Sequence, residues 1–78
     1  MQCLFVQIKC SPGLQRSVAN KIAVKELHSE IYSINGDYDI LMKTYLKDFN
    51  EAQSIVSKMV SNVEGIEKTF TMFAFDLF

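Results

Sequence analysis

The sequence predicts an α+β domain in which two helices lie on one face of a four-stranded antiparallel sheet. Three observations carry this reading. Short stretches alternate apolar and polar residues, two stripes of apolar residues recur at helical spacing, and an Asn35-Gly36 pair separates two apolar runs.

The first strand is Gln2 to Cys10, where Leu4, Val6, Ile8 and Cys10 alternate with Cys3, Phe5, Gln7 and Lys9. Ser11-Pro12-Gly13 then marks a helix start, with Ser11 as N-cap and Pro12 in the first turn, where its missing N–H costs nothing. Leu14, Val18 and Ile22, flanked by Ala19 and Ala23, form one stripe, so the helix runs from Pro12 to about Lys25. Glu30 to Asn35 reads as a second strand and Tyr38 to Leu46 as a third, joined by a tight turn in which Asn35 and Gly36 supply the positive φ. Asp48 and Glu51 have capping-box spacing, and Ala52, Ile55, Val56, Met59, Val60 and Val63 follow on one helical face. Gly65 stands where a helix C-cap glycine belongs, and Glu67 to Phe75 reads as the fourth strand.

Strand, helix, strand, strand, helix, strand is the βαββαβ order of the ferredoxin-like sandwich. Only one sheet face meets helices in that fold, so the alternate strand positions of a monomer should be polar. The even-numbered set (Leu4, Val6, Ile8, Ile40, Met42, Leu46, Phe70, Met72, Ala74) is the more uniformly apolar and is assigned to the helix side. The odd-numbered set still carries Phe5, Tyr45, Phe73 and Phe75 among polar residues. Exposed together, they would exceed the few hundred Å² of apolar patch that soluble monomers usually tolerate. The expected remedy is a homodimer closed through the open sheet faces, a dimeric α/β barrel, with those four aromatics at its centre.

Composition sets the remaining bounds. Seventy-eight residues, 49% of them hydrophobic, make one domain spanning 1–78 and leave no room for a second core. Cys3 and Cys10 lie on one strand, about 23 Å apart at the usual rise, too far for a disulfide. Two separated thiols and the single His28 make no metal-ligand set, so no metal and no cofactor is expected. A net charge of −1 gives no field for nucleic acid or anionic lipid. With no basic region before the first apolar stretch and no long apolar window, the expectation is a cytoplasmic protein without a membrane span.

Polar chemistry concentrates in Gly36-Asp37-Tyr38-Asp39. In one reading these are ordinary turn residues, with Asp39 bonding a nearby backbone N–H. In the other, the turn's N–H groups meet a ligand carboxylate while Asp37 or Asp39 meets an ammonium group, two demands that describe a free amino acid. Thr69 and Thr71, two apart on the last strand, point the same way and offer two hydroxyls. His28, in the polar connection Lys25-Glu26-Leu27-His28-Ser29-Glu30, reads as a solvated histidine, and its sequence neighbour Ser29 does not by itself make a nucleophile–base pair.

The segment Tyr32-Ser33-Ile34-Asn35-Gly36-Asp37-Tyr38-Asp39-Ile40-Leu41-Met42-Lys43, with Val63-Glu64-Gly65-Ile66-Glu67-Lys68-Thr69-Phe70-Thr71 after the second helix, resembles the ligand-binding (RAM) domain of the Lrp/AsnC family. The likeness covers nearly the whole chain. It implies sheet-to-sheet dimers, rings such as octamers, and amino-acid effectors bound between dimers. By position it implies an effector site at Gly36, Asp37, Tyr38, Asp39, Thr69 and Thr71. Typical members carry an amino-terminal helix-turn-helix, whereas Met1 here directly precedes the first strand. The expectation is a stand-alone effector-binding and oligomerisation domain that modulates regulation without contacting DNA, in company with full-length Lrp/AsnC regulators. The rivals are a small dimeric α/β-barrel oxygenase or isomerase, which shares this topology, and a purely structural assembly module.

Overall fold

The computed structural model describes residues 2–76. Its elements are β1 (Gln2–Cys10), α1 (Gln15–Ala23), β2 (Glu30–Ser33), β3 (Ile40–Leu46), α2 (Ala52–Val60) and β4 (Ile66–Ala74), in the predicted order. The strands form one antiparallel sheet, ordered β2-β3-β1-β4. No helix of the described residues is long and apolar enough to cross a membrane. Leu4, Val6 and Ile8 of β1 and Met42 of β3 are fully buried against Val18 and Ile22 of α1 and Met59 of α2. The stripe on each helix thus meets the even-numbered rows of the two central strands.

Several boundaries differ from the sequence reading for local reasons. Ser11 is not the N-cap of α1: Gly13 takes φ +82, and Ser11 to Leu14 form a tight turn in which the Leu14 N–H donates to the Ser11 carbonyl (3.0 Å). The helix therefore starts at Gln15, with Leu14 at the N-cap and no side-chain cap. Asp48 does cap, through the Asn50 N–H (2.9 Å), at a single 3-10 turn, Phe49–Glu51, that leads into α2. Replacing Asp48 with alanine is expected to cost about 1 kcal/mol, visible as a lower urea midpoint at unchanged slope. At the other end α2 stops at Val60, so Val63 packs on the core from the following loop. Lys25 reaches across from the end of α1, and its Nζ donates to the carbonyls of Lys58 (2.8 Å) and Ser61. A cation thereby meets the negative end of the α2 dipole.

Gly65 is not a helix cap. The residue in left-handed backbone just after α2 is Asn62 (φ 57), while Gly65 (φ +100) lies immediately before β4. There the chain passes so close to α1 that a Cβ would stand 2.9 Å from Leu14 Cδ1 and 3.2 Å from Val18 Cγ2.

The largest correction concerns β4. Leu4 and Val6 of β1 lie opposite Phe73 and Thr71, and Phe5 lies opposite Met72. Residues opposite one another share a face, so Thr69, Thr71 and Phe73 are on the helix side and Phe70, Met72 and Ala74 on the open side, the reverse of the assignment by parity. Phe73 and Phe75 pack on Phe49, with ring centroids 4.8 and 5.0 Å away, and do not belong to the open face.

The open face consists of cross-strand rows. One runs Glu30, Lys43, Phe5, Met72 and its neighbour Tyr32, Leu41, Gln7, Phe70. Lys43 Nζ lies 3.7 Å from Glu30 Oε2 and 4.9 Å from the Tyr45 ring centroid, so this central cation is paired within its own sheet. Contact with Tyr45 first, and the Glu30 charge after it, raises the Lys43 pKa above its ordinary value.

Candidate functional site

The loop between β2 and β3 is longer than a tight hairpin turn. Ser33 pairs with Ile40, leaving the six residues from Ile34 to Asp39 outside the ladder, closed by the Ile34 N–H donating to the Asp39 carbonyl (2.9 Å). Only Gly36 in it takes a positive φ (+111); Asn35 does not.

Asp39 explains why β3 starts at Ile40 and not at Tyr38. Its N–H donates to the Ile8 carbonyl (2.9 Å), and its Oδ2 accepts from the Cys10 N–H at 2.7 Å. Cys10 is the next β1 donor on that edge beyond the Ile8–Ile40 pair, so the carboxylate replaces the carbonyl that a longer β3 would have supplied. This is the structural role weighed for Asp39, and it occupies one of its two oxygens. Oδ1 has no hydrogen-bond partner among the described residues. Burial first, and the nearby Asp39 charge second, push the Cys10 thiol pKa up.

The rest of the loop divides. Asp37 and Gly36 are exposed, and the N–H groups of Asn35, Gly36, Asp37 and Tyr38 have no partner among the described residues. Tyr38 turns toward β4, its ring 6.3 Å from that of Phe70 with Lys68 Nζ 5.5 Å from its centroid. Thr69 and Thr71 are exposed on the helix side of β4, where Thr71 borders a small groove with Ala52, Val56 and Phe73. Two strands separate them from β2. One subunit therefore gathers Gly36, Asp37, Tyr38 and Asp39 in one loop and does not bring Thr69 and Thr71 into it.

On its β2 side Asp39 borders a groove of about 540 Å³ between α1 and the sheet edge, which Arg16 of α1 also lines. Arg16 carries no sequence signal as a site residue, since an exposed arginine on an amphipathic helix looks like any solvated one.

Residues 3–77 match the family model described as the Lrp/AsnC ligand binding domain. The chain belongs to that family. Among curated relatives, this Lrp/AsnC domain is 35% identical over 68 residues to the HTH-type transcriptional regulator FL11 of Pyrococcus furiosus, covering 87% of this chain and 44% of the regulator. It is 33% identical over 68 residues to a homocitrate synthase of Saccharolobus islandicus, covering 86% of this chain and 14% of the enzyme. The chain thus spans less than half the length of these relatives. Among solved structures, TTHA0845 from Thermus thermophilus superposes with a TM-score of 0.87 at 31% identity, over 100% of this chain and 98% of that one. The Lrp/AsnC domain is accordingly a domain type found in transcriptional regulators, with the ferredoxin-like fold that its sequence predicts.

Proposed function

We propose that this domain binds a free amino acid and assembles with copies of itself, and that its regulatory output passes through that assembly and not through its own contact with DNA. The observation that carries the reading is the match to a ligand-binding domain over residues 3–77. The loop chemistry supports it: free backbone donors at Asn35 to Tyr38 suit a carboxylate, and the unpaired Oδ1 of Asp39 suits an ammonium group. A net charge of −1 supports indirect action, because DNA binding rests on phosphate neutralisation by an excess of basic residues.

Assembly starts at the open sheet face, with Phe5, Tyr45, Phe70 and Met72 as its apolar centre, and extends to rings such as octamers and to mixed assemblies with full-length Lrp/AsnC regulators. The match to a short stretch of an enzyme as well as to a regulator fits a sensing module used in more than one setting. No catalytic role is proposed.

A thermal-shift screen of the twenty amino acids tests the reading. One amino acid at 100 times its dissociation constant is expected to stabilise the domain by about 2.7 kcal/mol, a rise in Tm of roughly 10 °C or more for a chain of this size. Asp39→Asn keeps an acceptor for the Cys10 N–H and removes the charge, so it should fold normally and lose most of the shift. The absence of a shift with all twenty would overturn the effector reading and leave a structural module.

A further inference from the structure

The free edge of β2 borders the groove beside α1, and its main chain is in phase to receive another strand. In an antiparallel ladder, alternate residues turn both main-chain groups toward the neighbouring strand and the residues between them turn theirs away. The Ile34 N–H donates to the Asp39 carbonyl (2.9 Å), in register with the pairs Ser33–Ile40 and Tyr32–Leu41. Tyr32 therefore faces β3, while Ile31 and Ser33 each present an N–H and a C=O to the open edge. Among the described residues, no turn, loop or cap hydrogen bond reaches those groups.

Edges left open in this way are commonly protected by lysine or proline. β2, Glu30 to Ser33, contains neither. Beside it α1 forms a wall in which Ala19 and Ala23, one helical turn apart, hold the helix back and leave the groove of about 540 Å³. Ile31 lies on the same side of the sheet, because it pairs with the buried Met42. The rest of the lining is largely polar: Gln15 and Asn20 carry amides that both donate and accept, and Ser33 adds a hydroxyl. A mixed lining of this kind suits a peptide, whose main chain needs donors and acceptors along its length and whose side chains need apolar room.

We infer that the α1–β2 groove takes an extended segment of a partner protein, added to β2 as a further strand of the sheet, with its main chain on Ile31 and Ser33 and an aliphatic side chain against Ala19 and Ala23. The segment is uncharged, since Arg16 and Asp39 place one charge of each sign in the lining. Strand addition at this edge leaves the open sheet face uncovered. It is independent of the amino-acid reading above, because a free amino acid has no run of main-chain amides to pair with an edge.

Selection from a displayed library of random peptides supplies the probe, and the best binder is synthesised with both ends blocked. On binding to the isotope-labelled domain, the Ile31 and Ser33 amides should become protected from hydrogen exchange, and the Tyr32 amide should not change. Methylating the peptide's main-chain nitrogens one at a time should weaken binding at alternate positions only. Ser33→Pro removes an outward N–H and no bond between β2 and β3, so the domain should keep its fold and bind the peptide about fivefold more weakly or worse. Ser33→Ala keeps that N–H and should bind as the wild type does. Ala19→Arg fills the groove from the helix and should weaken binding by about tenfold or more.

If the library yields no binder, if the bound peptide protects β4 and not β2, or if Ser33→Pro binds as well as the wild type, the inference fails. A binder that depends on its own charged side chains overturns the uncharged assignment. If Ser33→Pro changes how the subunits associate in sedimentation, the edge holds a second copy of this chain and the partner-segment inference is wrong.

Discussion

Gly65→Ala is expected to destabilise the domain by about 3 kcal/mol, from a left-handed φ that alanine adopts only under strain and from overpacking against a neighbouring side chain. Both causes are present at this position, where φ is +100 and an added Cβ would lie 2.9 Å from Leu14 Cδ1 and 3.1 Å from Leu14 Cβ. Leu14 cannot simply rotate away, because its own Cβ is part of the contact. The Gly65 carbonyl also accepts from the Ser11 N–H (2.7 Å), so a shift of the backbone would break the link between the end of β1 and the start of β4. Small domains hold about 0.05 to 0.15 kcal/mol of stability per residue, so a loss of this size is a large fraction of the total. Thermal unfolding should move down by more than about 10 °C. Gly36→Ala is the matched comparison: φ is +111 there and nothing lies within 4 Å, so strain acts without the clash. Equal losses in the two variants would show that the approach to α1 contributes nothing.

Phe5→Asp is expected to raise the dissociation constant of the proposed dimer by at least a hundredfold. Phe5 sits on the central strand between Lys43 and Met72, and aromatic residues at the middle of an interface contribute roughly 2 to 4 kcal/mol each. A carboxylate there would also have to be desolvated on association. Sedimentation equilibrium should find monomer at micromolar concentration, with circular dichroism unchanged. Phe73→Asp should leave association intact, because Phe73 faces Phe49 on the helix side. If Phe73→Asp separates the subunits and Phe5→Asp does not, the interface lies on the helix side and the sheet-face assembly is wrong.

Phe5 and Phe73 also mark what is legible in the sequence and what is not. The even-numbered residues of β1 belong to the core side as alternation predicts, because Leu4, Val6, Ile8 and Cys10 have no apolar equals on their alternate positions except Cys3 and Phe5. In β4 both sets contain aromatics, so alternation alone does not say which set turns inward. The register decides: from Leu4 to Ile8, even-numbered residues of β1 face even-numbered partners in β3 and odd-numbered ones in β4, and only at Cys10, past an irregularity after Lys9, does the β4 partner become the even-numbered Ile66. A slip of one residue exchanges the two faces of a strand, and nothing in Ile66 to Ala74 prevents it locally. The site is legible to a similar depth. Asp39 stands out as a carboxylate beside a turn, but its bond to Cys10 spans 29 positions, and Arg16 becomes notable only once α1 is laid beside β2. The Asn35-Gly36 pair marks the right place and suggests too short a loop, because the attraction of Asp39 to β1 draws Tyr38 and Asp39 out of the hairpin.

The position of β1 in the middle of the sheet governs the order in which the molecule can form. β1 is made before the other strands, yet one side of it waits for β3 and the other for β4, with Cys3 finally meeting Ala74. As the chain emerges from a ribosome, the partly formed sheet would present β1 with an unpaired edge until Ile66 to Ala74 arrive. An apolar strand in that state invites pairing with another chain. Contacts so distant in sequence also slow folding, which makes the interval before β4 docks the time at which this domain is most exposed to misassembly.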